Sequence, residues 1–385
     1  MSITNESGHS ASVDLQLHIE GKVLPLSQVG LDYCDLVEPA ALSSTSGEIV
    51  VIVDGRSQRT LVEFSKTQHE NERRMKIKKQ HTVTEAYLRG FTAGNAPNSL
   101  WQYDKATGEC KKRNVSAATV WHYAYSYRES DGTWNHLAEQ ELAKIEAEAM
   151  PCLKKIVSGS VESLDREERL AVSLFIAATF RRSRMLIEYY QEEGLKYGND
   201  RERQCGLLEQ LKADNTFSFT EDAVEFAEQY IAEGNLDSNV DELKASQLKA
   251  ILRNLERGSR LIGAMHWKML TAKAPQFFLT SDSPVVIRYT NDPLSNYEHF
   301  VFPGDPDAEL TFPLSCQNLL LARHKPWGES LKASKTRIRQ LNARIIRMAS
   351  CRAYAPYKSE EILSLLDENR HFLPPRPPVV TPNTN

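Results

Sequence analysis

His81 closes the basic run Lys78-Lys79-Gln80 and stands just ahead of Val83-Thr84-Glu85-Ala86-Tyr87-Leu88-Arg89-Gly90-Phe91, whose aromatic and aliphatic residues can anchor it in a core. Imidazole titrates near neutrality, so a positioned histidine can serve as a general base or a metal ligand, with Gln80 or Lys79 orienting a phosphate beside it. It can equally cap a helix that starts near Thr84 and Glu85. Asp282 lies in Ser281-Asp282-Ser283-Pro284 between two apolar runs. Strands on both sides would hold such a carboxylate rigid, as a catalytic or metal-binding group requires. The same four residues are also ordinary turn chemistry, in which the aspartate bonds its own backbone two residues on. Arg181, Arg182 and Arg184 fall together on a helix otherwise lined by Leu174, Phe175 and Ala178. Guanidinium forks match phosphate oxygens, so this cluster can clamp a phosphate, with Arg182 the chosen member; the alternative is a solvated edge paired with Glu188 or Glu168. Glu139, Glu141, Glu146 and Glu148 form an acidic run, a pattern that usually marks a solvated helix face.

Several chemistries lack their residues. There is no Gly-x-x-x-x-Gly-Lys-Ser/Thr loop for a nucleotide triphosphate, no Gly-x-Ser-x-Gly elbow, and no Gly-x-Gly-x-x-Gly after a strand. The cysteines, Cys34, Cys110, Cys152, Cys205, Cys316 and Cys351, are scattered without a Cys-x-x-Cys pair, so they read as reduced, mostly buried thiols. His122, His136 and His266 lie beside aromatics or on helices and read as packing residues.

The elements that must position these groups follow from patterning. With 41% hydrophobic and 25% charged residues, the 385-residue chain has the balance of a soluble globular protein of two or three domains. Lys and Arg total 47 against 51 Asp and Glu, a net charge of -4, so any nucleic-acid contact must come from a local groove and not from bulk charge. No apolar stretch is long enough to span a bilayer and no secretion signal is evident, so the protein reads as cytoplasmic with no membrane partner. Val13, Leu15, Leu17 and Ile19 alternate with polar residues, and Glu48–Val53 and Arg59–Phe64 flank an Asp54-Gly55 turn, which predicts a small β module over residues 12–66. A charged linker follows at 67–74, then a larger domain at 75–357. That domain has a strand at Ser99–Tyr103 with a turn at Asp104–Gly108. Its helical middle has helices starting beyond Trp134, from Asp165 toward Tyr190, from Thr220, and from Asp241 to Leu270. Short strands return at Phe277–Thr280, Val285–Ile287, Thr311–Leu314 and Leu319–Leu321, with a helix over Ser334–Met348. The tail at 374–385 is proline-rich and reads as disordered. The fold class is α+β.

From Met75 to about Tyr357 the chain resembles an uncharacterised bacterial domain family with the signature Gln-His-x-x-Pro-x-x-Tyr-Leu-x-x-Phe. Gln80, His81, Tyr87, Leu88 and Phe91 match it, with Thr84 at the proline position. Trp101-Gln102-Tyr103-Asp104-Lys105, Arg182-Ser183, Thr280-Ser281-Asp282-Ser283-Pro284-Val285-Val286, Phe312-Pro313-Leu314-Ser315 and Asn342 continue the match in order. The resemblance singles out Glu146 from its acidic run. It does not reach the β module, which reads as a separate unit that could dock a protein partner. The family carries no assigned reaction; its members' bacterial mobile and defence-like settings imply a nucleic-acid target.

If His81, Glu146 and Asp282 converge, they form a mixed oxygen–nitrogen site suited to magnesium, manganese or zinc. With Arg182 stabilising negative charge, the expectation is a hydrolase of nucleic acid or another phosphate ester, acting as a defence effector. Without a metal, His81 and Arg182 can still support RNA cleavage by acid–base chemistry. The alternative is a non-catalytic protein that binds nucleic acid or a partner. It would use Arg73–Lys79 and Lys111-Lys112-Arg113 as a basic groove, with Trp101 and Tyr103 for stacking.

Overall fold

Tight turns set the architecture of the amino-terminal region. In a computed structural model of the chain, the residues described are 2–4, 10–29, 33–54, 56–64, 74–76, 83–120, 125–128, 134–184, 186–187, 240–290, 301–328 and 331–374. His81 with its basic run, the helix expected from Thr220, and the tail beyond Pro374 lie outside these residues. The chain divides into two compact units, Met1–Thr82 with Ser116–Ala124, and Val83–Val115 with Tyr125–Asn385.

The first unit is one antiparallel sheet of seven strands: β1 (Ser2–Thr4), β2 (Ser10–Ile19), β3 (Lys22–Val29), β4 (Tyr33–Leu36), β5 (Ser46–Val53), β6 (Arg56–Glu63) and β7 (Arg74–Lys76). They are ordered β6-β5-β2-β3-β4-β7, with β1 beside β2. Two-residue turns join the hairpins. Glu20 and Gly21 both take positive φ, 52° and 72°, where Ile19 pairs with Lys22, and Asp54 takes 49° where Val53 pairs with Arg56. Positive φ at the central residues is what a two-residue hairpin demands, and it explains the expected Asp54-Gly55 turn. The β7 strand, Arg74–Lys76, pairs with β4 and so belongs to this sheet.

The second unit is α+β. Its strands are β8 (Ser99–Asp104), β9 (Cys110–Asn114), β10 (Tyr127–Arg128), β11 (Trp134–Asn135), β12 (His266–Thr271), β13 (Thr280–Ser281), β14 (Val286–Tyr289), β15 (Ala308–Pro313), β16 (Asn318–Arg323) and β17 (Arg352–Ala355). They form two four-stranded antiparallel sheets, β12-β16-β15-β14 and β13-β17-β8-β9, and the hairpin β10-β11. Its helices are α1 (Glu85–Leu88), α2 (Leu137–Ser158), α3 (Arg166–Arg181), α4 (Val240–Arg253), α5 (Leu255–Ala264), α6 (Lys335–Met348) and α7 (Glu360–Asn369). Among the described residues no helix is long and apolar enough to cross a membrane.

Capping explains most helix starts. The Asp165 side chain accepts from Glu168 N–H and the Glu168 side chain accepts from Asp165 N–H, a reciprocal box that starts α3. Ser334 caps α6 and Thr84 caps α1. Two expected helices end early. The helix expected from Asp241 to Leu270 breaks at Asn254 and stops at Ala264. His266–Thr271 instead pairs along its whole length with β16, burying Trp267 and Leu270. Ladder pairing and burial there outweigh helical propensity. The helix expected to run from Asp165 to Tyr190 is interrupted at Arg182 and Ser183 and is helical again at Arg184, Leu186 and Ile187; 188–190 lie outside the described residues.

The core around α3 is aromatic. Tyr87 stacks on Phe312 with ring centroids 5.3 Å apart and meets Phe91 and Phe175 at 5.2 and 6.3 Å. These rings tie α1, α3 and β15 together. On its other side α3 lies close to α5, because Gly258 and Gly263 present no side chain there: a Cβ on Gly263 would stand 3.2 Å from Ser173 Oγ. Helix α3 is therefore clamped along its length, and whatever its carboxyl end carries is held rigidly.

Candidate functional site

The carboxyl end of α3 meets the middle of α2, and there Arg182 and Glu146 come together. Arg182 Nη1 donates to Glu146 Oε1 at 2.5 Å. The arginine side chain is 3% exposed and the glutamate 26%, so the pair lies at the margin of the core with its acidic member outermost. The Tyr125 ring lies below the guanidinium, 6.0 Å from its carbon, and Tyr125 Oη donates to the Arg182 carbonyl at 3.2 Å. Burial pushes the Tyr125 phenol upward, so it stays a neutral donor. Arg181 and Arg184, the other members of the cluster, are half-buried and make contacts of their own.

Several of the buried polar atoms here lack hydrogen-bond partners among the described residues, as do single atoms of Arg344, Arg352 and Arg370 elsewhere in this unit. Among the described residues, Arg182 Nε and Nη2, Thr179 Oγ1 and Ser183 Oγ are enclosed and have no hydrogen-bond partner. Elsewhere on α3 a hydroxyl is satisfied in the ordinary way: Ser173 Oγ donates to the Arg169 carbonyl at 2.8 Å. Leaving a buried polar group unpaired costs about 1–3 kcal/mol, more for a charged one, so four such atoms at one helix end call for a functional explanation. The Nε–Nη2 edge of a guanidinium is a two-pronged donor that fits a pair of phosphate or carboxylate oxygens. Glu146 occupies the other prong and fixes the plane of the fork.

Asp282 sits in a different network. Its Oδ1 accepts from Ser350 N–H at 2.8 Å, and its Oδ2 accepts from Cys351 and Arg352 N–H at 2.8 and 3.0 Å. The carboxylate thus holds the turn that leads from α6 into β17. Burial pushes its pKa up, against the pull of the three amides and of Lys105. Lys105 Nζ donates to the carbonyls of Arg347 and Ala349 at 2.8 and 2.9 Å, capping the carboxyl end of α6, and burial lowers its pKa to about 8. Other residues of the motif set also join elements. Tyr87 Oη bonds Thr280 Oγ1 and the Pro313 carbonyl at 2.9 and 2.7 Å. Asn342 accepts from Leu279 N–H and donates to the Phe277 carbonyl, both at 2.9 Å, so this stretch is paired by a side chain where a longer strand was expected. Among the described residues no group of three or more His, Cys, Asp or Glu is placed to hold a metal ion; His81 lies outside them.

Lys111, Lys112 and Arg113 lie on β9, an outer strand, with Lys112 opposite Trp101 and Lys111 opposite Gln102. Lys111 and Lys112 are exposed, whereas Tyr103 is fully buried and donates its hydroxyl to the Tyr357 carbonyl, which leaves it no face for stacking a base. Residues 77–79 of the other basic run lie outside the described residues.

Thr179, Ser183, Tyr125 and Lys105 were not among the residues expected at a site. A signal for Thr179 was present: it interrupts the apolar stretch Phe175-Ile176-Ala177-Ala178 and Phe180, three residues before Arg182; Ser183 carried none.

The chain belongs to the family described as Protein of unknown function (DUF4238), which it matches over residues 79–359. No curated protein and no solved structure gives a significant match.

Proposed function

We propose that this member of a family with no assigned reaction is a hydrolase of phosphate esters, nucleic acid among them, with Arg182 as the group that grips the phosphoryl oxygens. The observation that carries this reading is the enclosed, unpartnered Nε–Nη2 edge of Arg182. Such an edge, already oriented and already desolvated, stabilises charge developing on a phosphoryl oxygen without reorganising during the reaction. Glu146 acts as the positioning carboxylate, holding Nη1 so that the edge faces the ligand. His81, in the first unit and outside the described residues, stays a candidate general base from its sequence alone and is tested separately. Glu146 Oε1 and both oxygens of Asp282 already accept hydrogen bonds, and the two carboxylates belong to different networks. The reading best supported is therefore arginine-centred, with chelation as its check.

The test is turnover of labelled RNA, labelled DNA and p-nitrophenyl phosphate by the wild-type protein, Arg182→Lys and His81→Ala, each with and without EDTA. Lysine keeps the charge and loses the fork, so Arg182→Lys is expected to lose about 10²–10³ in rate. Loss with EDTA would assign a metal. If the folded wild-type protein turns over none of the three, the hydrolase reading falls and a binding protein remains. The exposed basic outer strand β9 favours that second reading, and Lys111→Glu with Lys112→Glu would then weaken nucleic-acid binding in a salt-dependent way.

A further inference from the structure

We propose, independently of the hydrolase reading, that the open edge of β9 docks an extended acidic segment of a partner protein, which adds to the sheet as a further antiparallel strand. In the order β13-β17-β8-β9 this strand is terminal, and among the described residues it pairs with β8 alone. Hydrogen bonds at the two ends of the hairpin fix which groups turn outward. Asp104 N–H donates to the Glu109 carbonyl, and Val115 N–H donates to the Asn98 carbonyl. Alternation between these ends makes Gln102 with Lys111 and Leu100 with Arg113 the bonded pairs. The N–H and C=O of Cys110 and of Lys112 therefore point away from β8, toward the open side. An added strand satisfies such a row through its own main chain.

Charge selects the occupant. Lys111, Lys112 and Arg113 follow one another on this edge, the two lysines exposed and the arginine half-buried. Among the described residues none of the three has an ion-pair partner. Side chains alternate between faces, so Lys112 shares the face of Trp101, while Lys111 and Arg113 share that of Gln102 and Leu100. A strand lying in the plane of the sheet meets both faces. Three consecutive carboxylates on it each stand directly opposite one cation, with Cβ atoms about 4.5–5.5 Å apart. A nucleic-acid backbone lies against one face and leaves the other cations unmet, and Tyr103 is fully buried and cannot stack on a base there. A second copy of β9 is disfavoured by its own charge. Antiparallel pairing about Lys112 sets Lys112 against Lys112 and Lys111 against Arg113, and like charges directly opposite are destabilising.

The experiment is fluorescence anisotropy of the full-length protein with a labelled short peptide in which three consecutive glutamates lie between valine and threonine flanks. The comparison probes are the same peptide with glutamines, the acidic peptide N-methylated at its glutamates, and a single-stranded RNA. The acidic peptide is expected to bind, and to bind more weakly as salt rises. The glutamine peptide should bind about fivefold more weakly, as should the acidic peptide to Lys111→Gln with Lys112→Gln, whose exposed positions leave the fold intact. N-methylation keeps the charge and removes the main-chain donors, so it should weaken binding about tenfold. Equal binding of the N-methylated peptide overturns strand addition. Equal binding of the glutamine peptide, or unchanged affinity in the double variant, overturns the acidic occupant. Binding of the RNA without the acidic peptide, or binding of neither, overturns the inference as a whole.

Discussion

At the scale of single residues, the contrast between Arg182 and Asp282 carries most of the meaning. Both are buried charged groups, yet one is left with free donors and the other has both oxygens filled by backbone amides. The sequence made them look alike, because a charged residue beside an apolar run predicts burial but not which neighbours will arrive from 36 or 68 positions away. The Glu146 contact also gives a stability expectation. Removing one member of a buried ion pair leaves the other uncompensated at a cost of about 3–5 kcal/mol, and the cost is smaller when water can reach the member left behind, as it can Glu146 but not Arg182. Glu146 is a quarter exposed, so Glu146→Ala should fall near the lower end of that range in a chemical denaturation series. Arg182→Met should cost less. The opposite ranking would mean that Glu146 does not hold the guanidinium.

At the scale of elements, the helix caps and hairpin turns were legible and the ends of long helices were not. Asp165 with Glu168, Ser334, and Asp54 with its glycine are local chemistry, written in residues close together in sequence, and each appears where expected. The stretch His266–Thr271 reads as helical by local pattern but becomes a strand, because its partner Asn318–Arg323 lies some fifty residues on. The carboxyl end of α6 is another nonlocal feature. Lys105, from the turn after β8, donates to its last carbonyls while buried beside Asp282. Its pKa falls from the ordinary 10.5 to about 8. Between those values the unfolded chain binds more protons than the folded one, so stability should climb as pH rises through that window; below it, the burial penalty is fully present. Neutral lysine still has two N–H donors for two carbonyls. Denaturant melts of the wild-type protein and Lys105→Met across that window check this: the variant should lose the Lys105 contribution to the slope. Parallel slopes would place the lysine in water.

At the scale of the whole molecule, the α+β class and the presence of an amino-terminal β region were legible from patterning, since period-two and helical runs occupy different stretches of the chain. The join was less so. Arg74 reads as the end of a charged linker and Met75 and Lys76 as the start of the larger domain, yet all three complete the first unit's sheet through backbone pairing that any side chains permit. In the second unit Tyr87, Thr280, Asp282 and Asn342 fasten strands and helices to one another. That frame positions α3, and α3 positions Arg182. The most direct measurement is a crystal structure of the full chain grown with tungstate, a heavy tetrahedral oxyanion, using its anomalous signal. The account predicts a peak within hydrogen-bond reach of Arg182 Nε and Nη2. An Arg182 edge bonded to a protein carbonyl or carboxylate, with the anion absent there, would contradict it.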